Sequence, residues 1–163
     1  MGGWVEGGRK LLQEKADALG LGDIVTEGPA IISYSRAAAT AEASDGLLVL
    51  GVGEPAYMAS KLFSYASLDK PLLACIHEQS QMNAYFSQHP ELGTAVHFGQ
   101  TAEAEIDEDA KVFSFLNQVR EGHRPDRAEA LYEFSAAGMT RKVAAIFDRC
   151  VAQSKLSPVG GDD

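Results

Sequence analysis

The apolar residues of this chain follow two rhythms. One is helical: Leu11, Leu12, Ala16 and Leu19 recur three or four positions apart, which predicts a helix over residues 4–19 stopped by Gly20 and Gly22. The other is short and dense. Leu47-Leu48-Val49-Leu50 and Pro71-Leu72-Leu73-Ala74-Cys75-Ile76 are apolar without alternation, as strands buried on both faces of a parallel sheet are. Ala95-Val96-His97-Phe98 reads as a last strand, and Ile24-Val25, closed by Gly28-Pro29, as a short first one. Residues 34–43 are alanine-rich, with Ser33 placed to cap them. Residues 59–68, 79–89, 106–121, 126–135 and 139–155 complete the expected helices. Asp107, Glu108 and Asp109 are assigned to the first turns of the helix over 106–121, where the macrodipole favours carboxylates. Val143, Ala144, Phe147 and Val151 share one face of the last helix.

Strands alternating with helices predict an α/β fold: a Rossmann-like parallel sheet of about four strands with flanking helices and right-handed crossovers. A length of 163 residues suits one domain. That domain is expected over residues 1–156, with residues 157–163, rich in Pro, Gly and Asp, as a flexible tail. The chain is 45% hydrophobic, enough for a core, yet no apolar run approaches the roughly 18 residues of a membrane span. Met1-Gly2-Gly3-Trp4-Val5-Glu6 has neither the basic start nor the apolar run of a secretory signal. Cys75 and Cys150 both stand in apolar surroundings and read as reduced core thiols, which fits a cytoplasmic protein.

The formal net charge of -9 removes two partner classes. A nucleic-acid binder needs a basic footprint to displace counterions, and an acidic chain is repelled by an anionic membrane surface. A small phosphorylated ligand stays open, because backbone N–H groups hold phosphate locally. Ligand sites in parallel sheets lie outside the carboxyl ends of the strands, here residues 27–33, 51–61 and 76–82. The middle tract is the richest: Gly51 and Gly53 permit tight turns, Glu54 is an acid at a strand end, and Ser60 and Lys61 stand at a helix start. Free N–H groups, a hydroxyl and an ammonium together suit phosphate. In the alternative reading, Ser60 only caps its helix, Lys61 is a solvated lysine and Glu54 a loop acid. No G-x-G-x-x-G or P-loop pattern is present, and His77, His89, His97 and His123 form no H-E-x-x-H site, so no metal is expected. His77, at a strand end, is better placed for a ligand than His97, which reads as a packing residue.

Residues 60–74, Ser-Lys-Leu-Phe-Ser-Tyr-Ala-Ser-Leu-Asp-Lys-Pro-Leu-Leu-Ala, resemble the tract S-K-[LIV]-F-E-Y-[LM]-A-x-G-K-P-[VL]-[LI]-A. That tract belongs to retaining GT-B glycosyltransferases of the glycogen-synthase-like and mannosyltransferase-like group, in their C-terminal donor-binding domain. Residues 19–28 are similar to the family's L-G-L-x-D-x-V-x-x-x-G, residues 41–50 to its A-D-x-x-L-x-L strand, and residues 139–151 to its closing helix. The resemblance implies the later part of a donor domain, shortened on its N-terminal side. It implies transfer of a sugar from a nucleoside diphosphate, such as a UDP- or GDP-sugar, to an acceptor hydroxyl with retention. No other cofactor is implied. Gly28, Pro29 and Ile31 would lie beside the base. Gly53, Tyr57 and Met58 belong to the loop facing sugar and diphosphate, Glu54 approximates the catalytic acid that contacts the donor sugar, and Ser60 and Lys61 would face the diphosphate. Ser64 stands where the family carries a ribose-binding glutamate. The implied partners are the nucleotide sugar, an acceptor-binding domain or companion chain, and a second copy of the chain as a homodimer. A non-catalytic nucleotide-binding module and a flavodoxin-like interaction domain remain alternatives.

Overall fold

The computed structural model describes residues 11–28, 31–98 and 102–156, in two compact units that meet between Thr40 and Ala41 in sequence. In the first unit, α1 (Leu11–Ala18) ends where the glycines predict. Gly20 takes φ 72°, the Leu21 N–H reaches the Ala16 carbonyl at 2.8 Å, and the Gly20 N–H reaches Asp17 at 3.1 Å. This double bond pattern satisfies the last carbonyls of the helix. The Gln13 side-chain oxygen accepts from the Glu27 N–H, and the Glu27 carboxylate accepts from the Gln13 N–H, at 3.2 and 3.0 Å. α2 (Tyr34–Ala43) starts as expected, with Ser33 Oγ accepting the Arg36 N–H at 3.3 Å.

The strand expected at Ile24-Val25 is not formed. Both N–H groups turn back to the Leu21 carbonyl, at 3.0 and 2.9 Å, and Ile24 is 79% exposed. Two β-branched residues favour extension, but without a neighbouring strand their N–H groups bond locally instead.

Among the described residues the second unit holds a parallel sheet of three strands rather than four, in the order β1 (Leu47–Leu50), β2 (Leu72–His77), β3 (Thr94–Phe98). Leu47 pairs with Leu72, and Leu73 with Thr94. α3 (Lys61–Ala66) joins β1 to β2, and α4 (Met82–Gln88) with a short 3-10 turn joins β2 to β3. Leu47, Val49, Leu72, Ala74 and Ile76 point to one face, where they form a core with Leu62, Met82 and Phe86. α5 (Ala102–Arg120) packs on β2 and β3, and α6 (Ala128–Tyr132) adds Ala130 to the core. At the entry to β3, Gly93 has φ 150°, and a Cβ there would stand 2.4 Å from the Leu72 carbonyl oxygen. Only glycine fits so close to β2.

Three further expectations, on β1, α5 and Cys150, are corrected. β1 is not buried on both faces: Leu48 and Leu50 are 50% and 57% exposed, because β1 is an edge strand covered on one side only. α5 starts at Ala102, so Glu108 lies well past the first turn, where the helix dipole no longer acts on it. The last helix forms as α7 (Ala136–Leu156), and Val143, Phe147 and Val151 on it are exposed. Cys75 is half-buried in β2, but Cys150 is exposed on α7 and is no core thiol. No helix among the described residues is long and apolar enough to cross a membrane.

Candidate functional site

Three of the expected ligand residues come together. Tyr57, Ser60 and Lys61 line a cavity of about 220 Å³ between β1 and α3, with Leu48, Leu50 and Tyr65 among its other walls. Their convergence follows from local structure. After β1 the chain turns through residues 51–56, with a 2.7 Å bond from the Gly51 N–H to the Cys75 carbonyl extending the ladder. It then re-enters the core at buried Ala59, whose N–H meets Met82 Sδ at 3.5 Å. That anchor sets Ser60 and Lys61 at the exposed rim. Ser60 is the N-cap of α3 but makes no side-chain capping bond, and its own backbone is already helical. Its hydroxyl is therefore not spent as a cap, contrary to the plainer reading of this position.

Of the other expected residues in the second unit, none lines the cavity. Met58 is half-buried against the core. Gly53, Glu54 and Ser64 are exposed and do not line it. Gly28 and Ile31 are exposed in the first unit, and Pro29 lies outside the described residues. Among the cavity-lining residues there is no carboxylate and no imidazole. What the cavity offers is an ammonium, a hydroxyl and phenol rings beside an apolar strand. That set can hold an anion and pack against a flat or apolar group.

A second polar cluster, unseen in the sequence, lies where β2 and β3 end. His97 places Nδ1 3.1 Å from Glu108 Oε1 and Nε2 2.7 Å from Asn83 Oδ1, while its backbone N–H donates to Glu108 Oε2 at 3.0 Å. Lys111 Nζ donates to the same carboxylate at 3.0 Å. Asn83 is turned by its own amide, which donates to the Glu78 carbonyl at 2.6 Å. Burial pushes the Glu108 carboxyl up, but the bonds from His97 and Lys111 outweigh it and hold its pKa below the usual value. The cluster has the parts of a base and its orienting acid, yet both ring nitrogens of His97 face protein partners. It ties β3 to α4 and α5 and presents no free nitrogen for catalysis. His77, the histidine favoured for a ligand, accepts the Gln79 N–H on Nδ1 at 3.1 Å and meets Phe98 edge to face. Cys75 nearby is pushed above the usual thiol pKa by burial and by the charge of Glu108, so it stays protonated and is a poor nucleophile.

Arg127 is the other residue whose role the sequence concealed. It is almost fully buried, and its guanidinium donates to the carbonyls of Glu91, Leu68 and Lys70, each at 2.9 Å, and of Ala66 at 3.4 Å. Burial lowers its pKa and the nearby charge of Asp69 opposes this. It borders a cavity of about 250 Å³ with Glu91, His123 and Asp126, but its donors are already committed to the Glu91 carbonyl and to the turn after α3. Neither cluster has a signal in spacing: Glu108 and His97 are 11 residues apart, and Arg127 and Ala66 are 61 apart.

Comparison with family models, with curated proteins and with solved structures finds no match to this chain. The likeness of residues 60–74 to the glycosyltransferase tract thus stands on those residues alone.

Proposed function

We propose that this chain binds a nucleoside-diphosphate sugar, with the diphosphate end held by Ser60 and Lys61 in the cavity beside β1. The observation that carries this reading is the meeting of Tyr57, Ser60 and Lys61 at the carboxyl side of a parallel strand. The cavity is smaller than the roughly 300 Å³ and more of a typical small-molecule site. It suits a diphosphate rather than a whole nucleotide sugar. On this reading the chain is the donor-binding part of a retaining glycosyltransferase of the GT-B type. It works with an acceptor-binding domain or companion chain that carries the other half of the site. Lys61 and Ser60 stabilise the charge that grows on the departing diphosphate, and Glu54 approaches the sugar from the exposed loop.

The absence of any carboxylate or imidazole from the cavity lining favours a second reading, a binding module without catalysis of its own. Both readings require nucleotide binding, so calorimetry with UDP, GDP and ADP at millimolar ligand tests them together. Heat with one of them is expected. Lys61→Ala is expected to weaken binding by roughly fivefold to tenfold, the worth of one solvent-facing charge-assisted bond. No heat with any of the three removes both readings. An unchanged affinity in the variant makes Lys61 a surface lysine. Sugar release or transfer from a donor then separates the enzyme from the module.

A further inference from the structure

The His97 ring stands between two acceptors. Nδ1 lies 3.1 Å from Glu108 Oε1 on α5, and Nε2 lies 2.7 Å from Asn83 Oδ1 in the first turn of α4. Glu108 is a carboxylate held below its usual pKa, so it is an anion at neutral and alkaline pH. Asn83 cannot turn its nitrogen toward the ring. That nitrogen already donates to the Glu78 carbonyl at 2.6 Å and reaches the His77 carbonyl at 3.5 Å. A flipped amide would set two oxygens against each other with no hydrogen between them. A neutral imidazole has one N–H and one lone pair, so it satisfies only one of the two acceptors. Imidazolium donates to both.

The surroundings leave this choice to the ring itself. Among the described residues, the charges that face it come from α5: Glu108, and Lys111, whose Nζ donates to the same Oε1 at 3.0 Å. From β2 come Cys75, kept protonated by burial and by the charge of Glu108, and His77, which meets Phe98 edge to face and accepts the Gln79 N–H on Nδ1. α4 carries no charged residue, and exposed Glu78 before it offers its carbonyl to Asn83. The His97 side chain is only 20% exposed, so water is poorly placed to replace a bond that the ring gives up.

We propose that His97 is a proton-operated latch: with hydrogen on both ring nitrogens it ties α4 and α5 to the end of β3, and on giving one proton to solvent it releases α4. The bond that goes is the one to Asn83. The hydrogen left on the ring stays on Nδ1, where the Glu108 anion holds it. Nε2 then turns a lone pair to Asn83 Oδ1, and two acceptors face each other across 2.7 Å. α5 stays tied, because Glu108 still accepts from Nδ1 and from the His97 backbone N–H. The latch is closed on the acid side and opens as the pH rises. It does not depend on nucleotide binding.

Nitrogen NMR of the histidine rings and amide exchange, both on the full chain at about pH 5.5 and about pH 8.5, test this. At the lower pH both nitrogens of His97 are expected to carry hydrogen, and at the higher pH only Nδ1. Protection of the α4 amides, with each rate divided by that of an unstructured chain at the same pH, is expected to fall about tenfold across this range, the worth of one hydrogen bond. Protection in α5 is expected to hold. His97→Gln removes the titrating ring and Asn83→Ala removes its acceptor, so each is expected to abolish the difference between the two pH values. Unchanged α4 protection in the wild type overturns the proposal, and this comparison decides even where a variant does not fold. A fall of the same size in either folded variant overturns it too. So does a ring that keeps its hydrogen on Nε2 at the higher pH, since α5 would then be the helix released.

Discussion

The carboxylate of Glu108 accepts from the His97 ring, the His97 backbone and Lys111, and so closes the end of the sheet onto α5. Its folded pKa lies below the usual value. A depressed folded pKa means that Glu108 contributes stability in full at neutral pH, and that this contribution is lost as the pH falls through the folded value. Glu108→Gln is expected to cost about 1–2 kcal/mol at pH 7, the worth of its charge-assisted bonds. Urea unfolding from pH 7 downward checks this: the variant's stability should fall less steeply toward acid than that of the wild type. Parallel acid limbs would show that Glu108 is not the group that titrates. Glu133 is a contrasting case. It is also held below the usual range by Lys142 and His89, but it is solvent-exposed, and its influence is screened.

At the scale of elements, the strands owe their positions to a few close approaches. Gly93 brings the chain within reach of Leu72 just before β3 begins. Gly93→Ala is expected to destabilise by roughly 2–4 kcal/mol, because a side chain both strains φ 150° and meets a carbonyl oxygen. Thermal or denaturant midpoints measure it; a loss under about 0.5 kcal/mol, the range of an ordinary surface change, would mean that the β2–β3 approach is loose. Strand cores, helix stops and the Ser33 cap were legible in the sequence because each is local. The dense apolar runs became β1 and β2, and Gly20 ended α1. Ile24-Val25 was misread for the opposite reason. A strand is defined by its neighbour, and no run of two residues carries that information.

At the scale of the molecule, β2 is the one strand with a partner on each side, while β1 and β3 each keep an edge unpaired among the described residues. Amide exchange should therefore be slowest for residues 73–76 of β2 and faster for β1. Equal protection in β1 and β2 would mean that something further pairs with the β1 edge. Of the candidate site, the cluster of Tyr57, Ser60 and Lys61 was legible, since those residues are close in sequence and follow one strand. The clamp of His97, Asn83 and Glu108 was not, and neither was the grip of Arg127 on the turn after α3.

The sequence by itself determined the α/β class, the strands read at 47–50 and 71–76 and the tract that meets at the cavity. Periodicity and nearby turns set these, and both act over a few residues. Only the tertiary structure decided that Leu48 and Leu50 are exposed, that Glu108 serves His97 rather than a helix dipole, and that Arg127 grips the turn after α3. Burial and charge pairing depend on which surfaces meet in space, and a hydrophobic pattern records that a face seeks cover without recording what supplies it.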